Sequence, residues 1–137
     1  MAVDACERRL SPRAAAQHTV LVVDDEPLMR LFVMRALRGA GYDTIEAASA
    51  EEALELLTAD DGGISLLVSD VQLPGISGSQ LVEQARDLLP DLPTLLMSGR
   101  GRHWLVNERL LQRDAELLQK PFRIADLLGK LEQLLAQ

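Results

Sequence analysis

The chain has 137 residues, 47% of them hydrophobic, a formal net charge of −7 and a single cysteine. That suits one domain with a real core rather than two, and it is too apolar for a disordered chain. The acidic balance argues against a surface that coats nucleic acid. The lone Cys6 argues against a disulfide framework or a cysteine-held zinc, and fits a reducing cytoplasm. No apolar run approaches the roughly 18 residues of a membrane span, and the N-terminus lacks the apolar core of a signal peptide.

Residues 1–18 show no sustained period and read as a mobile tail in which Cys6 and His18 are incidental; residues 19–137 read as the folded domain. Thr19–Val23 is a short β-branched run of the kind buried on both faces of a parallel sheet. It stops at Asp24-Asp25-Glu26, and Pro27 opens a helix whose apolar positions are Leu28, Leu31, Phe32, Met34, Ala36 and Leu37. Thr44–Ala47 reads as a weaker strand. Ser49 and Glu52 have capping-box spacing, ahead of a helix with Ala53, Leu54, Leu56 and Leu57 inward. Ile64–Ser69 is the third strand and ends at Asp70. A turn marked by Pro74, Gly75 and Gly78 follows, and Ser77 with Gln80 caps a helix through about Leu89, with Leu81, Val82, Ala85 and Leu88 inward. Thr94–Met97 is a fourth strand, stopping at Ser98-Gly99. The spacing predicts a helix over His103–Gln112, a short strand around Leu117–Leu118 ending at Gln119-Lys120-Pro121, and a last helix over Arg123–Leu135 with Ile124, Leu127, Leu128, Leu131 and Leu135 on one face.

Five strand–helix alternations with short loops predict an α/β fold with a five-stranded parallel sheet and right-handed crossovers, which we take as flavodoxin-like and doubly wound, in the order 2-1-3-4-5. All strand C-termini of such a sheet lie on one edge. That places Asp24, Asp25, Asp70, Ser98 and Lys120 on one rim, with the three carboxylates flanking the crevice between strands one and three. Carboxylates so close repel one another. Oxygen-only ligands favour magnesium, calcium or manganese over zinc, and Lys120 is a point charge suited to phosphate. A strand-end aspartate beside a metal, a lysine and a hydroxyl is the set expected for phosphoryl transfer onto the carboxylate. Taken singly each part has an ordinary reading: an acidic helix cap, a turn aspartate, a Ser-Gly loop, a solvated lysine. Five of them on one rim argue for a site.

Asp24-Asp25, the D-x-x-L-P-G-x-S-G run from Asp70 to Gly78, Ser98-Gly99 and Lys120-Pro121-Phe122 resemble, in order and spacing, the receiver domain of two-component response regulators. The resemblance covers Thr19 to about Ala136. It implies that Asp70 is the phosphoacceptor, charged by a histidine kinase or a histidine phosphotransfer protein. It implies Mg2+ held directly by Asp25 and Asp70, by Asp24 through water and by the backbone carbonyl of Gln72, with Ser98 and Lys120 holding phosphoryl oxygens. It also implies a Lys120-Pro121 peptide that is often cis, and a common dimer surface on the last two helices and strand five. Such a domain catalyses its own phosphorylation and dephosphorylation without being an enzyme in the ordinary sense. One departure is Leu117, which stands where receivers often carry an aromatic switch residue. Signalling is therefore expected through the segment after Ser98, where Arg100, Arg102, His103, Trp104, Arg109 and Arg113 form either a partner-binding face or a solvated basic one.

The reading is a cytoplasmic phosphorylation switch with protein–protein output, since no DNA-binding motif follows the fifth helix. It is either a stand-alone receiver or the terminal receiver of a hybrid histidine kinase. Two alternatives stand beside it. One is a receiver-like binding module that no longer uses phosphorylation. The other is a Mg2+-dependent aspartyl phosphatase or phosphotransferase of the haloacid-dehalogenase type, against which Gln72 stands where that family has a second aspartate.

Overall fold

Residues 18–60 and 62–136 are described by a computed structural model. The proposed tail, Cys6 included, lies outside the described residues except for His18, whose carbonyl accepts a hydrogen bond from Asp43 N–H at 3.2 Å. The chain runs β1 (Thr19–Val23), α1 (Pro27–Gly39), β2 (Asp43–Ala47), α2 (Ala50–Thr58), β3 (Ile64–Asp70), α3 (Gly78–Leu88), β4 (Thr94–Ser98), α4 (Arg102–Asn107), β5 (Leu117–Gln119) and α5 (Ile124–Leu135). The strands form one parallel sheet, as the alternation predicts, in the expected flavodoxin-like order β2-β1-β3-β4-β5.

Alternation along each strand divides the core in two. Leu21, Val23, Leu67 and Leu96 face α2, α3 and α4, where they meet Ala53, Leu57, Leu81, Ala85 and Leu105. Val20, Val22, Leu66, Val68, Leu95 and Met97 face α1 and α5, where they meet Val33, Met34, Leu37, Leu127 and Leu131. Both faces of the sheet are thus buried, which is why Val20–Val23 of β1 and Leu66–Val68 of β3 are continuous apolar runs rather than alternating ones. The predicted caps form. Ser77 Oγ accepts from Gln80 N–H and Gln80 Oε1 from Ser77 N–H. Ser49 Oγ accepts from Glu52 N–H, while the Glu52 carboxylate reaches back one residue further, to Ala48 N–H.

Three expectations about the helices are corrected. The α4 helix ends at Asn107, not Gln112: Arg109 takes a left-handed φ of 59°, the conformation that commonly stops a helix. Leu110 and Leu111 then turn back onto the core as a loop. On α1 the buried stripe is Val33, Met34, Ala36 and Leu37, while Leu28 is 81% exposed and Leu31 and Phe32 are also exposed. Apolar residues surround much of this helix, so periodicity alone did not set its rotation; Phe32 instead meets the Phe122 ring, 6.2 Å between centroids. Leu88 and Ile124 are likewise exposed, and on α5 Leu134 is buried alongside Leu127 and Leu131.

Tyr42 sits in the α1–α5 side of the core at 4% exposure. Burial, with the Glu132 charge adding to it, pushes its phenol from 10.0 up to about 12. A phenol held neutral in the fold stabilises it fully below pH 10, and that contribution disappears as the pH rises through 12. Between those limits the wild type should lose about 2–3 kcal/mol more than Tyr42→Phe, as urea melts of both proteins across that range would show.

Candidate functional site

The parallel order that buries the strands also delivers their polar ends to one rim. Asp24 and Asp25 follow β1, Asp70 is the last residue of β3, Ser98 the last of β4, and Lys120 follows β5. β1 and β3 are neighbours, and their outward crossovers diverge there, which opens the crevice. Oxygen atoms of Asp24, Asp25 and Asp70 lie within 4.8 Å of one another. Lys120 reaches across from the β5 end, its Nζ 3.2 Å from Asp70 Oδ2 and 3.9 Å from Asp24 Oδ2.

The three carboxylates are not equivalent. Asp25 is exposed and Asp70 partly so, while Asp24 is fully buried. Asp24 Oδ1 accepts from Glu26 N–H at 2.9 Å, closing the turn into α1. Asp24 Oδ2 is buried with no hydrogen-bond partner. Burial pushes the Asp24 carboxyl above the usual range; the Glu26 N–H bond pulls the other way, the Asp70 charge adds to the rise, and Lys120 offsets part of it. A buried carboxylate oxygen without a donor, beside two further carboxylates, matches the needs of a hard divalent cation. The donor set is all oxygen, so the residues present fit Mg2+.

Loop geometry fixes the aspartates. Asp70 Oδ1 accepts from Gln72 N–H at 3.4 Å. Val71 N–H bonds Met97 O, extending the β3–β4 pairing one residue past the strand, and Gly78 N–H bonds Val71 O at 2.8 Å, drawing α3 against the end of β3. Lys120 N–H bonds Ser98 O at 2.7 Å, which ties the two residues that flank the pocket on that side, and the Lys120-Pro121 peptide is cis. Ser98 Oγ accepts from Arg100 N–H at 3.0 Å.

The residues singled out in the sequence divide as follows. Asp24, Asp25, Asp70 and Lys120 converge on the pocket, with Ser98 beside Lys120 on its wall and Gln72 on its lip. Arg100 and Trp104 meet each other outside it, the guanidinium 4.5 Å from the indole centroid. Leu117 is partly buried, packed against the core and paired with Leu96 on β4. Arg102, His103, Arg109 and Arg113 are exposed, and the His103 ring stands 3.1 Å from the Asn107 amide rather than in any ligand cluster. Sequence reasoning missed Arg30. Its Nη1 donates to Asp24 O at 2.7 Å and its Nε to Glu46 at 3.0 Å, bracing the acidic turn from β2. Nothing but its place one turn into α1 signalled that role.

An acidic pocket crossed by a lysine at the switch point of a 2-1-3-4-5 sheet is the arrangement of a signalling receiver. The family model for the response regulator receiver domain matches residues 20–132, and the chain belongs to that family: it is a phosphoacceptor module of two-component signalling. It is 32% identical over 116 residues to the response regulator receiver protein CpdR of Brucella abortus (strain 2308), a match that spans 85% of this chain and 95% of that one. It is 36% identical over 119 residues to the sensor kinase CckA of the same organism, but spans only 12% of the kinase. The crystal structure of the receiver domain from the hybrid histidine kinase CckA has a TM-score of 0.72 to this fold at 36% identity, covering 85% of this chain and 98% of that one. Among the described residues no helix is long and apolar enough to cross a membrane.

Proposed function

We propose that Asp70 is the phosphoacceptor and that Lys120 and Ser98 hold the transferred phosphoryl group. The observation that carries this is the Lys120 Nζ–Asp70 Oδ2 contact of 3.2 Å, made across the sheet into an acidic pocket. In the reaction the N–P bond of a phosphohistidine breaks and an Asp70 Oδ–P bond forms. The electron pair returns to the imidazole nitrogen, which takes its proton from water; Asp70 attacks as a carboxylate and gives up none. Lys120 then exchanges part of its contact with Asp70 for a phosphoryl oxygen, and the Ser98 hydroxyl donates to another. Asp25 and Asp70 would bind Mg2+ directly, Asp24 through water and Gln72 through its carbonyl; the cation would neutralise the charge that builds on the equatorial oxygens. Attack of water on phosphorus returns inorganic phosphate and the free carboxylate.

The donor in this reading is a histidine kinase or a histidine phosphotransfer protein, in the cytoplasm, and the product signals by protein contacts, with a homodimer as one form. Both settings have precedent among the relatives, a receiver protein of similar length and a receiver within a sensor kinase. Intact mass after incubation with Mg2+ and acetyl phosphate tests the site. The wild type should gain one phosphoryl group and Asp70→Asn none. If Asp70→Asn gains it as readily, the acceptor is elsewhere. If neither gains one and beryllium fluoride with Mg2+ also fails to bind, the chain is a binding module.

A further inference from the structure

We infer that Arg100 is a positioning residue that reports the state of the pocket to Trp104, an inference that rests on the site proposed above. Three observations converge on it. Ser98 Oγ, the hydroxyl assigned to the phosphoryl group, accepts the N–H of Arg100 at 3.0 Å. The Arg100 guanidinium lies over the Trp104 ring at 4.5 Å. On β5, Leu117 pairs with Leu96 rather than with Ser98 and is an apolar, partly buried residue packed against the core, with no polar atom to follow a hydroxyl. The chain that leaves the pocket in the direction of the surface is therefore Ser98, Arg100, Trp104.

The local backbone has room to rearrange. Arg100 stands between Gly99 and Gly101, and a Cβ on Gly99 would meet no atom within 4 Å. Gly101 is the N-cap of α4 and brings no side-chain hydrogen bond to the helix start. The stack on Trp104 is a cation–π contact at an exposed site, a class weak enough to exchange. Trp104 itself is 37% exposed with the guanidinium over it. Turning Ser98 Oγ toward a phosphoryl oxygen withdraws the acceptor from Arg100 N–H. The loop then releases the guanidinium from the indole, and a phosphoryl group of roughly −1.5 to −2 charge supplies a competing attraction for it. Phosphorylation thereby uncaps Trp104.

Trp104 is the only tryptophan of the chain, so its fluorescence reads this step directly. The full chain is titrated with beryllium fluoride in the presence of Mg2+, with fluorine NMR reporting occupancy and acrylamide quenching reporting access to the indole. In the wild type the quenching constant should rise about two-fold on loss of the covering cation, and Mg2+ alone should leave it unchanged. Arg100→Ala should show the raised value from the start and gain nothing from the mimic, and Arg100→Lys should restore part of the response. A role confined to stability would move the melting temperature of Arg100→Ala without removing its response to the mimic. Fluorine signal with unchanged quenching in the wild type overturns the inference while leaving the phosphoacceptor site standing. An Arg100→Ala protein that responds like the wild type overturns it too. Absence of any bound-fluoride signal overturns the site reading and this inference with it.

Discussion

Asp24→Asn should melt above the wild type in EDTA and lose most of the stabilisation that Mg2+ gives. The wild-type fold holds a fully buried carboxylate whose Oδ2 has no donor, with Asp25 and Asp70 oxygens within 4.8 Å. Asp25 and Asp70 both oppose the Asp24 charge, and the single cation of Lys120 at 3.9 Å offsets only part of that combined repulsion. Asparagine keeps the acceptor for Glu26 N–H and places an N–H2 where the unpartnered oxygen was, facing carboxylates that can accept from it. We expect a gain of roughly 1–3 kcal/mol without metal, or about 3–10 °C in the melting midpoint. A ligand present at a hundred times its Kd stabilises by about 2.7 kcal/mol. The wild type should show a gain of that order on adding Mg2+, and Asp24→Asn a much smaller one. Scanning calorimetry of both proteins, with EDTA and with Mg2+, checks the four values. A mutant that melts below the wild type in EDTA would mean that the charge is already compensated in the fold, and would remove the electrostatic case for a cation.

That balance explains why the pocket is legible in the sequence. An aspartate at the end of an apolar strand is costly, and a sheet with all its ends on one rim gathers such residues; Asp24, Asp70, Ser98 and Lys120 each stand at or just after the end of a β-branched or leucine-rich strand. Parallel pairing followed from the alternation of elements and the handedness of crossovers, and the order 2-1-3-4-5 is the flavodoxin-like one among the several that those rules allow. What the sequence did not carry was rotation and termination. Leu28, Leu31 and Phe32 have helical spacing, yet they lie on the open side of α1, because Met29, Val33 and Leu37 supply a second apolar row that reaches the sheet. Leu110 and Leu111 continue the period of α4, yet a left-handed Arg109 ends the helix before them. A backbone turn at a non-glycine residue has no composition signal. Arg30 escaped for the opposite reason: an arginine inside a helix is commonplace, and its value here comes from Glu46 on a different strand.

Three glycines of the pocket loops should answer the same substitution with three different outcomes, and the largest belongs to Gly78. A Cβ built on Gly78 would lie 2.0 Å from Asp70 O and 2.9 Å from both Asp70 C and Val71 Cα. All three atoms are backbone, held by the β3–β4 pairing and by the bond from Gly78 N–H to Val71 O. No side-chain rotation relieves that contact, so α3 must part from the strand end. Gly78→Ala should cost about 3 kcal/mol or more. It should also slow uptake from acetyl phosphate, because the peptide displaced is the one that carries Asp70. Gly75 has φ 75°, and its Cβ would meet the far end of the Glu51 side chain at 2.8 Å, a flexible group that can swing away. Gly75→Ala should therefore cost about 1 kcal/mol, the strain of a left-handed alanine, with phosphorylation preserved. Gly99 has no atom within 4 Å of the added carbon, so Gly99→Ala should stay within about 0.5 kcal/mol of the wild type. Urea denaturation gives the three stabilities, and mass-resolved phosphorylation under Mg2+ and acetyl phosphate gives the three rates. Gly78 has no left-handed φ to strain, so a Gly78→Ala cost no larger than that of Gly75→Ala would show that α3 moves off the acceptor strand cheaply. A stable Gly78→Ala that is phosphorylated at the wild-type rate would mean that the end of β3 can yield without moving its aspartate.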